Sequence, residues 1–289
     1  MEAKISGISN VLSKEDLDAD SLLELINATL KKSKITIDEN NSVNVGIFAG
    51  TTFSNLNLRV DNFKKYLKDG IRAASPAIFP LTLISYLAGY FSIKLKIKGI
   101  HNTFSSGYSS GFDALKEGLF FLKRDRRNKS LVVELGEKII NKRCALKSGV
   151  CLALENPTPL KDSCYGYILA IESFFEKKGD NSGLINAISR ALSKCSLGVS
   201  DIDFIFSSAS SSGRRFILEK AALKNSNKAP RTEPALSLSP KISYPGLISV
   251  SHMLEKRAFK FKNKKSIFVM FLNLGQNTNS SCLVIKVPN

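Results

Sequence analysis

Histidine, cysteine and long apolar runs are all scarce in this 289-residue sequence. The two histidines, His101 and His252, lie far apart, and no HExxH or Cys/His cluster is present. The spacing patterns of zinc sites are therefore missing, and no metal or cofactor is expected. The five cysteines, Cys144, Cys151, Cys164, Cys195 and Cys282, contain no CxxC pair and cannot all be bridged. Such usage fits reduced, mostly buried thiols in the cytoplasm. The longest apolar stretch, 77–91, is broken by Pro80, Thr82, Ser85 and Gly89. It falls short of the roughly 20 apolar residues that a membrane-spanning helix needs, so no membrane partner is expected. The first ten residues lack the basic and apolar regions of a secretory signal, and export is not expected either.

Acidic residues are also few, 25 against 42 basic ones, which leaves a net charge of +17. The excess is dense at Lys94, Lys96 and Lys98, over 123–129 and over 256–265. Charge of this sign attracts nucleic acid, anionic membranes or acidic proteins. A general richness in Lys, Asn, Ser and Ile gives the same balance with no partner at all. No zinc finger, helix-turn-helix or RNP-like motif accompanies the charge, so nucleic acid is not the expected partner.

What is present is a 43% hydrophobic content, enough to bury one large domain or two closely packed halves. Apolar residues at helical spacing predict a helix over 21–31, with Asp18, Asp20 and Ser21 available as caps. Phe112, Leu115, Leu119 and Leu122 form a second helical stripe after the small and hydroxyl residues 105–111. That puts Tyr108 at or just before a helix N-terminus. Further helices are expected over 183–195 and 246–259, and strands over 43–49, 165–174, 203–206, 266–272 and 282–287. Strands interleave with helices, which is the α/β pattern. A strand running into a small-residue turn, then a small-residue loop running into a helix, occurs in each half and suggests a structural duplication. The serine-rich run 207–212 has no GxSxG elbow, no aligned His/Asp pair and no phosphate-loop lysine beside it.

Several segments, in order, resemble the β-ketoacyl-acyl carrier protein synthase family. Residues 75–80, 88–93 and 98–99 resemble its dimer-interface and cavity segment, and Ser105-Ser106-Gly107-Tyr108-Ser109-Ser110-Gly111 its S-x-A-C-A-S/T-G nucleophile loop. Leu154-Glu155, the stretch 197–212, Ser239-Pro240-Lys241 and the closing 275–284 follow the family's later motifs. The resemblance implies a thiolase-like α/β fold, two similar halves in a five-layered αβαβα arrangement. Expected boundaries are 1–150 for the N-terminal half, with its nucleophile loop at 105–111, and 151–289 for the C-terminal half. The chain is shorter than typical members and shows no clear copy of their first strand, so residues 1–40 are the least defined part.

The resemblance also places the chemistry, and the chemistry is missing. The family needs a thiolate to accept an acyl chain and two imidazoles to stabilise the oxyanion. The nucleophile position holds Tyr108, the first histidine position Ser208 and the second Gly246. Lys241 matches the active-site lysine and is retained, with Glu155 or Glu219 as possible counter-carboxylates. A phenol with a pKa near 10 is a poor acyl acceptor, even at a helix N-terminus. The expected protein is thus a catalytically degenerate homologue, similar in role to a chain-length factor in fatty acid or polyketide biosynthesis. Its implied partners are an active ketosynthase subunit or a second copy of itself, and an acidic acyl carrier protein. An acyltransferase or thiolase-like enzyme using displaced residues such as Cys144, Cys151 or Cys164, and a basic nucleic-acid-binding protein, are the alternatives.

Overall fold

The computed structural model describes residues 2–13, 17–52, 56–73, 75–140, 143–157, 164–175, 182–207, 231–234, 237–239, 242–243, 246–255, 265–274 and 279–288. The chain begins with strand β1 (Ala3–Ser13), helix α1 (Ala19–Ser33) and strand β2 (Val45–Thr51), followed by α2 (Leu56–Asp69) and α3 (Tyr86–Lys94). Then come β3 (His101–Phe104), α4 (Ser110–Arg124), β4 (Lys129–Ile140) and β5 (Arg143–Glu155). The second series is β6 (Gly166–Phe175), α5 (Ser182–Cys195), β7 (Phe204–Ser207), β8 (Arg231–Pro234), a short pair β9 (Ser237–Ser239) and β10 (Ile242–Ser243), α6 (Leu247–Glu255), β11 (Ser266–Leu274) and β12 (Asn279–Pro288).

Ten strands are joined in the order β3-β2-β4-β5-β1-β6-β12-β11-β7-β8. From either edge toward the middle, two parallel pairings are followed by two antiparallel ones, and the series meet where Ala3–Ile5 of β1 pairs with Gly166–Ile168 of β6. The same course is therefore run twice, once in each half. The division expected at residue 150 falls inside β5, which continues to Glu155.

Alternation along the strands builds the layers. In β4, Leu131, Val133 and Leu135 point outward onto α1 and α3, where Leu22, Ile26, Leu87 and Phe91 cover them. Val132 points the other way, into a central layer formed by α4 and α6. In β11, Val269 and Phe271 face the same central layer, while Met270 and Leu272 face Leu184, Ile188 and Leu192 of α5. The result is helix, sheet, helices, sheet, helix: the five-layered arrangement of two similar α/β halves.

Local chemistry explains the elements. Asp18 caps α1 by accepting from the Ser21 amide at 2.8 Å, and Lys34 closes it in a left-handed conformation with φ of 58°. Helices α4 and α5 present the stripes expected of them, and α6 is confirmed over its described residues. The main correction concerns the N-terminus. No first strand was legible, yet β1 is 11 residues long and occupies the middle of the sheet.

Candidate functional site

The loop before α4 is held by its own serines. Ser110 donates to the Gly107 carbonyl at 2.6 Å and to the Thr51 carbonyl at 2.9 Å, and it accepts from the Ser106 amide at 2.8 Å. Gly107 takes a φ of +69°, a region that a side chain would strain. Gly50, near the end of β2, lets the two segments touch, because a β-carbon there would lie 2.6 Å from the Ser110 carbonyl group. Ser106 donates to Asp113, whose carboxyl burial pushes up in spite of that hydroxyl and Lys116. Tyr108 therefore stands, as expected, on a tight turn at the start of a central helix. Its side chain is half-buried, however, not fully enclosed.

Gly246 immediately precedes α6, with a φ of +89°. The starts of α4 and α6 meet two polar side chains from the central faces of the sheet. From β4 comes Glu134, 3% exposed, which accepts the Leu247 amide at 2.6 Å together with the amides of Gly111 and Ile248. From β11 comes Asn273, 1% exposed. Its amide nitrogen donates to the Tyr108 carbonyl at 3.1 Å and to the Ser109 hydroxyl at 3.3 Å, while its oxygen accepts the Gly246 amide at 3.4 Å. Burial pushes the Glu134 carboxyl up to about 7, and the three backbone amides pull against that shift.

Sequence reasoning located the loop and Gly246 but missed Glu134 and Asn273. A single carboxylate in Leu131-Val132-Val133-Glu134-Leu135 was the available signal, since an acidic residue on a buried strand demands partners. The structure brings Tyr108 and Gly246 to the two ends of this polar cluster. Ser208, Lys241 and Glu219 lie outside the described residues. Glu155 sits opposite Lys129 on β4, whereas Glu134 sits opposite Val150, so Glu155 belongs to the other end of the strand pair. It accepts instead from Ser6 at 3.3 Å.

The displaced thiols are poorly suited to nucleophilic work. Cys151 is fully buried and its thiol is pushed up to about 12 by burial. Burial raises Cys195 and Cys282 as well. A thiolate is the reactive form, so these shifts suppress reactivity near neutral pH. Cys164 is half-buried, and the side chain of Cys144 lies outside the described residues. His101 is exposed on the edge strand β3, and His252 is half-buried on α6. A cavity of about 300 Å³ lies toward the other end of α4, lined by Lys116, Leu119, Phe120, Lys123, Ile168 and Lys194, and none of the site residues borders it. No helix among the described residues is long and apolar enough to cross a membrane.

Residues 2–133 match the family described as Beta-ketoacyl synthase, N-terminal domain. No curated protein matches the sequence. Solved structures do resemble it over its whole length. A beta-ketoacyl synthase from Burkholderia phymatum STM815 superimposes with a TM-score of 0.81 at 13% identity, covering 100% of both chains. The ishigamide ketosynthase/chain length factor gives 0.78 at 14%, again over 100% of both. A type II PKS acyl-carrier protein in complex with its ketosynthase bound to the hexaketide gives 0.77 at 12%, over 99% of both. At such identities the likeness speaks for the fold.

Proposed function

We propose that this chain, whose residues 2–133 match the family described as Beta-ketoacyl synthase, N-terminal domain, is a non-catalytic member of that family, a chain-length-factor-like or scaffolding partner of an active ketosynthase in fatty acid or polyketide biosynthesis. One observation carries the reading. The position expected to bear the nucleophilic thiol is Tyr108, and the position expected to bear the second imidazole is Gly246, a residue with no side chain whose neighbourhood is filled by Glu134. A buried glutamate held by backbone amides supplies neither the thiolate that accepts an acyl group nor the imidazole that stabilises the oxyanion. Ser208 at the first histidine position adds to this from the sequence.

A partner role also needs a surface. Helices α2 and α3 and the segment between them expose Phe63 at 60%, Leu67 at 67%, Ile71 at 77%, Phe79 at 59% and Ile93 at 78%. Large side chains grouped in this way favour burial against another protein. Beside them, β3 is the edge strand of the sheet, with His101 and Asn102 exposed. In one structural relative a ketosynthase is described together with a chain length factor, and in another with an acyl-carrier protein. Partners of those two kinds fit the exposed apolar face and the net charge of +17 respectively.

The test is incubation of the purified protein with an acyl thioester carrier, followed by intact-mass measurement and assays of condensation and malonyl decarboxylation. No adduct and no turnover are expected. A stable acyl adduct on Tyr108 or on any cysteine, with turnover, would overturn the proposal.

A further inference from the structure

Alternation along β4 puts Val132 and Glu134 on the central face, and alternation along β11 puts Phe271 and Asn273 there. The strands hold the same place in the two halves, next to the innermost pairs of the sheet order. Glu134 and Asn273 are thus counterparts, each aimed at the starts of the two central helices. Each reaches across to the other half. Glu134, from the first series, takes amides of α6; Asn273, from the second, takes the carbonyl of Tyr108 and the hydroxyl of Ser109. Each also holds one group of its own half, the Gly111 amide for Glu134 and the Gly246 amide for Asn273.

Space at this crossing is fully used. A β-carbon on Gly246 would lie 2.8 Å from Glu134 Oε2 and nearer still to Oε1. A β-carbon on Gly111 would meet the same carboxylate at 2.6 Å from its carboxyl carbon, and Leu247 at 3.0 Å. Real β-carbons do not approach so closely, so a side chain at 246 requires the Glu134 carboxyl to leave its place and the Leu247 amide it accepts.

We propose that Glu134 and Asn273 close this site by occupation: the pair is a cross-brace that pins the starts of α4 and α6 together and fills the volume that a side chain at 246 needs. This rests on the reading of Tyr108 and Gly246 as former catalytic positions. It goes further, because a site emptied of chemistry would regain it when the missing side chains are put back, whereas an occupied one cannot. Glu134 and Asn273 are positioning residues here, and the glycines at 111 and 246 are the steric complement of the carboxylate.

A double-mutant cycle tests the brace independently of any activity. Alanine is the better helix former, so Gly111→Ala on its own is favoured by propensity and opposed by the carboxylate. The expected result is a fall in melting temperature for Gly111→Ala in the native background, and loss of that fall when Glu134→Ala is also present. Equal falls in both backgrounds would overturn the proposal. Should Glu134→Ala alone fail to fold, hydrogen exchange on the unmodified protein decides: the amides of Gly111, Leu247 and Ile248 are expected to exchange only through global unfolding. Exchange of any of the three by local opening would overturn the brace. An acyl adduct on the native protein would sink the functional reading while leaving the cycle untouched, so the two failures are distinguishable.

Discussion

The inside of this molecule and its α2–α3 face treat side chains in opposite ways. At the starts of α4 and α6, a buried carboxylate and a buried amide are matched by backbone groups, and glycines make room for them. Along α2 and α3, aromatic and aliphatic side chains stand in solvent although polar ones would serve an isolated protein better. Leu87 and Phe91 show that the segment can bury its apolar residues, since both pack into the outer core while Phe79 and Ile93, close in sequence, do not. The difference separates two requirements. The centre is built for a fixed structure, and the face is the surface that the proposed function assigns to a partner.

The sharpest way to break the contrast is at the centre. Tyr108→Cys supplies a thiol at the nucleophile position, and in a site that lacked only this group condensation would appear. None is expected, because Gly246 offers no imidazole and Glu134 stands in its place. Condensation by this variant above the unmodified background, measured with acyl and malonyl thioester carriers, would show that the centre had kept its chemistry.

The face is tested by association. A dimer, with itself or with a ketosynthase subunit, is expected to bury Phe79, Ile93 and the edge strand β3. Charge placed at those positions, as in Phe79→Glu with Ile93→Lys, should shift sedimentation from dimer to monomer without changing the far-ultraviolet spectrum. A well-behaved monomer for the unmodified protein, alone and with a candidate synthase, would remove the contrast altogether.

A third effect separates the centre from the face by pH. Glu134 has a folded-state pKa of about 7, above the ordinary carboxylate value of 4.5. Below 4.5 the group is protonated both folded and unfolded. As pH rises from 4.5 to 7 the unfolded chain gives up its proton first, so stability declines by about 3 kcal/mol across that window and is level above it. Glu134→Gln removes the titration, and its denaturation midpoints between pH 5 and pH 8 should lack this decline. Retention of the full decline in the Gln variant would assign it to other groups.

The same contrast explains what the sequence discloses. Amphipathic stripes made α1, α4 and α5 legible, because each has one apolar face and one wet one. Strand β1 was not legible, since Ser6, Gly7, Ser9 and Asn10 interrupt the alternation expected of a strand. Its small residues serve contact: a β-carbon on Gly7 would lie 2.6 Å from the Thr29 carbonyl oxygen of α1. Helical spacing put Tyr108 and Gly246 at two helix starts, where the structure has them. The spacing was silent on Glu134 and Asn273, because what they touch belongs largely to the other half of the chain, and local spacing carries no information about a crossing.

The smallest expected effect concerns the Tyr108 ring. A fully buried ring at this position would plug the site, and a fully buried aromatic replaced by alanine costs about 3–5 kcal/mol. The structure fills the centre with Glu134 instead and leaves the ring half-buried, so only part of that loss applies. Tyr108→Ala should cost about 1–2 kcal/mol on the same scale. The Tyr108 carbonyl keeps its bond from Asn273 in this variant, since the backbone is unchanged. Phe112→Ala, four residues further on in the first turn of α4 at a side chain 2% exposed, provides the fully buried reference and should reach the larger range. Urea denaturation of both variants beside the unmodified protein makes the comparison directly. If Tyr108→Ala costs as much as Phe112→Ala, the ring is the plug after all, and occupation of the centre is shared between the tyrosine and the carboxylate. A cost well below that of Phe112→Ala leaves Glu134 as the group that fills it.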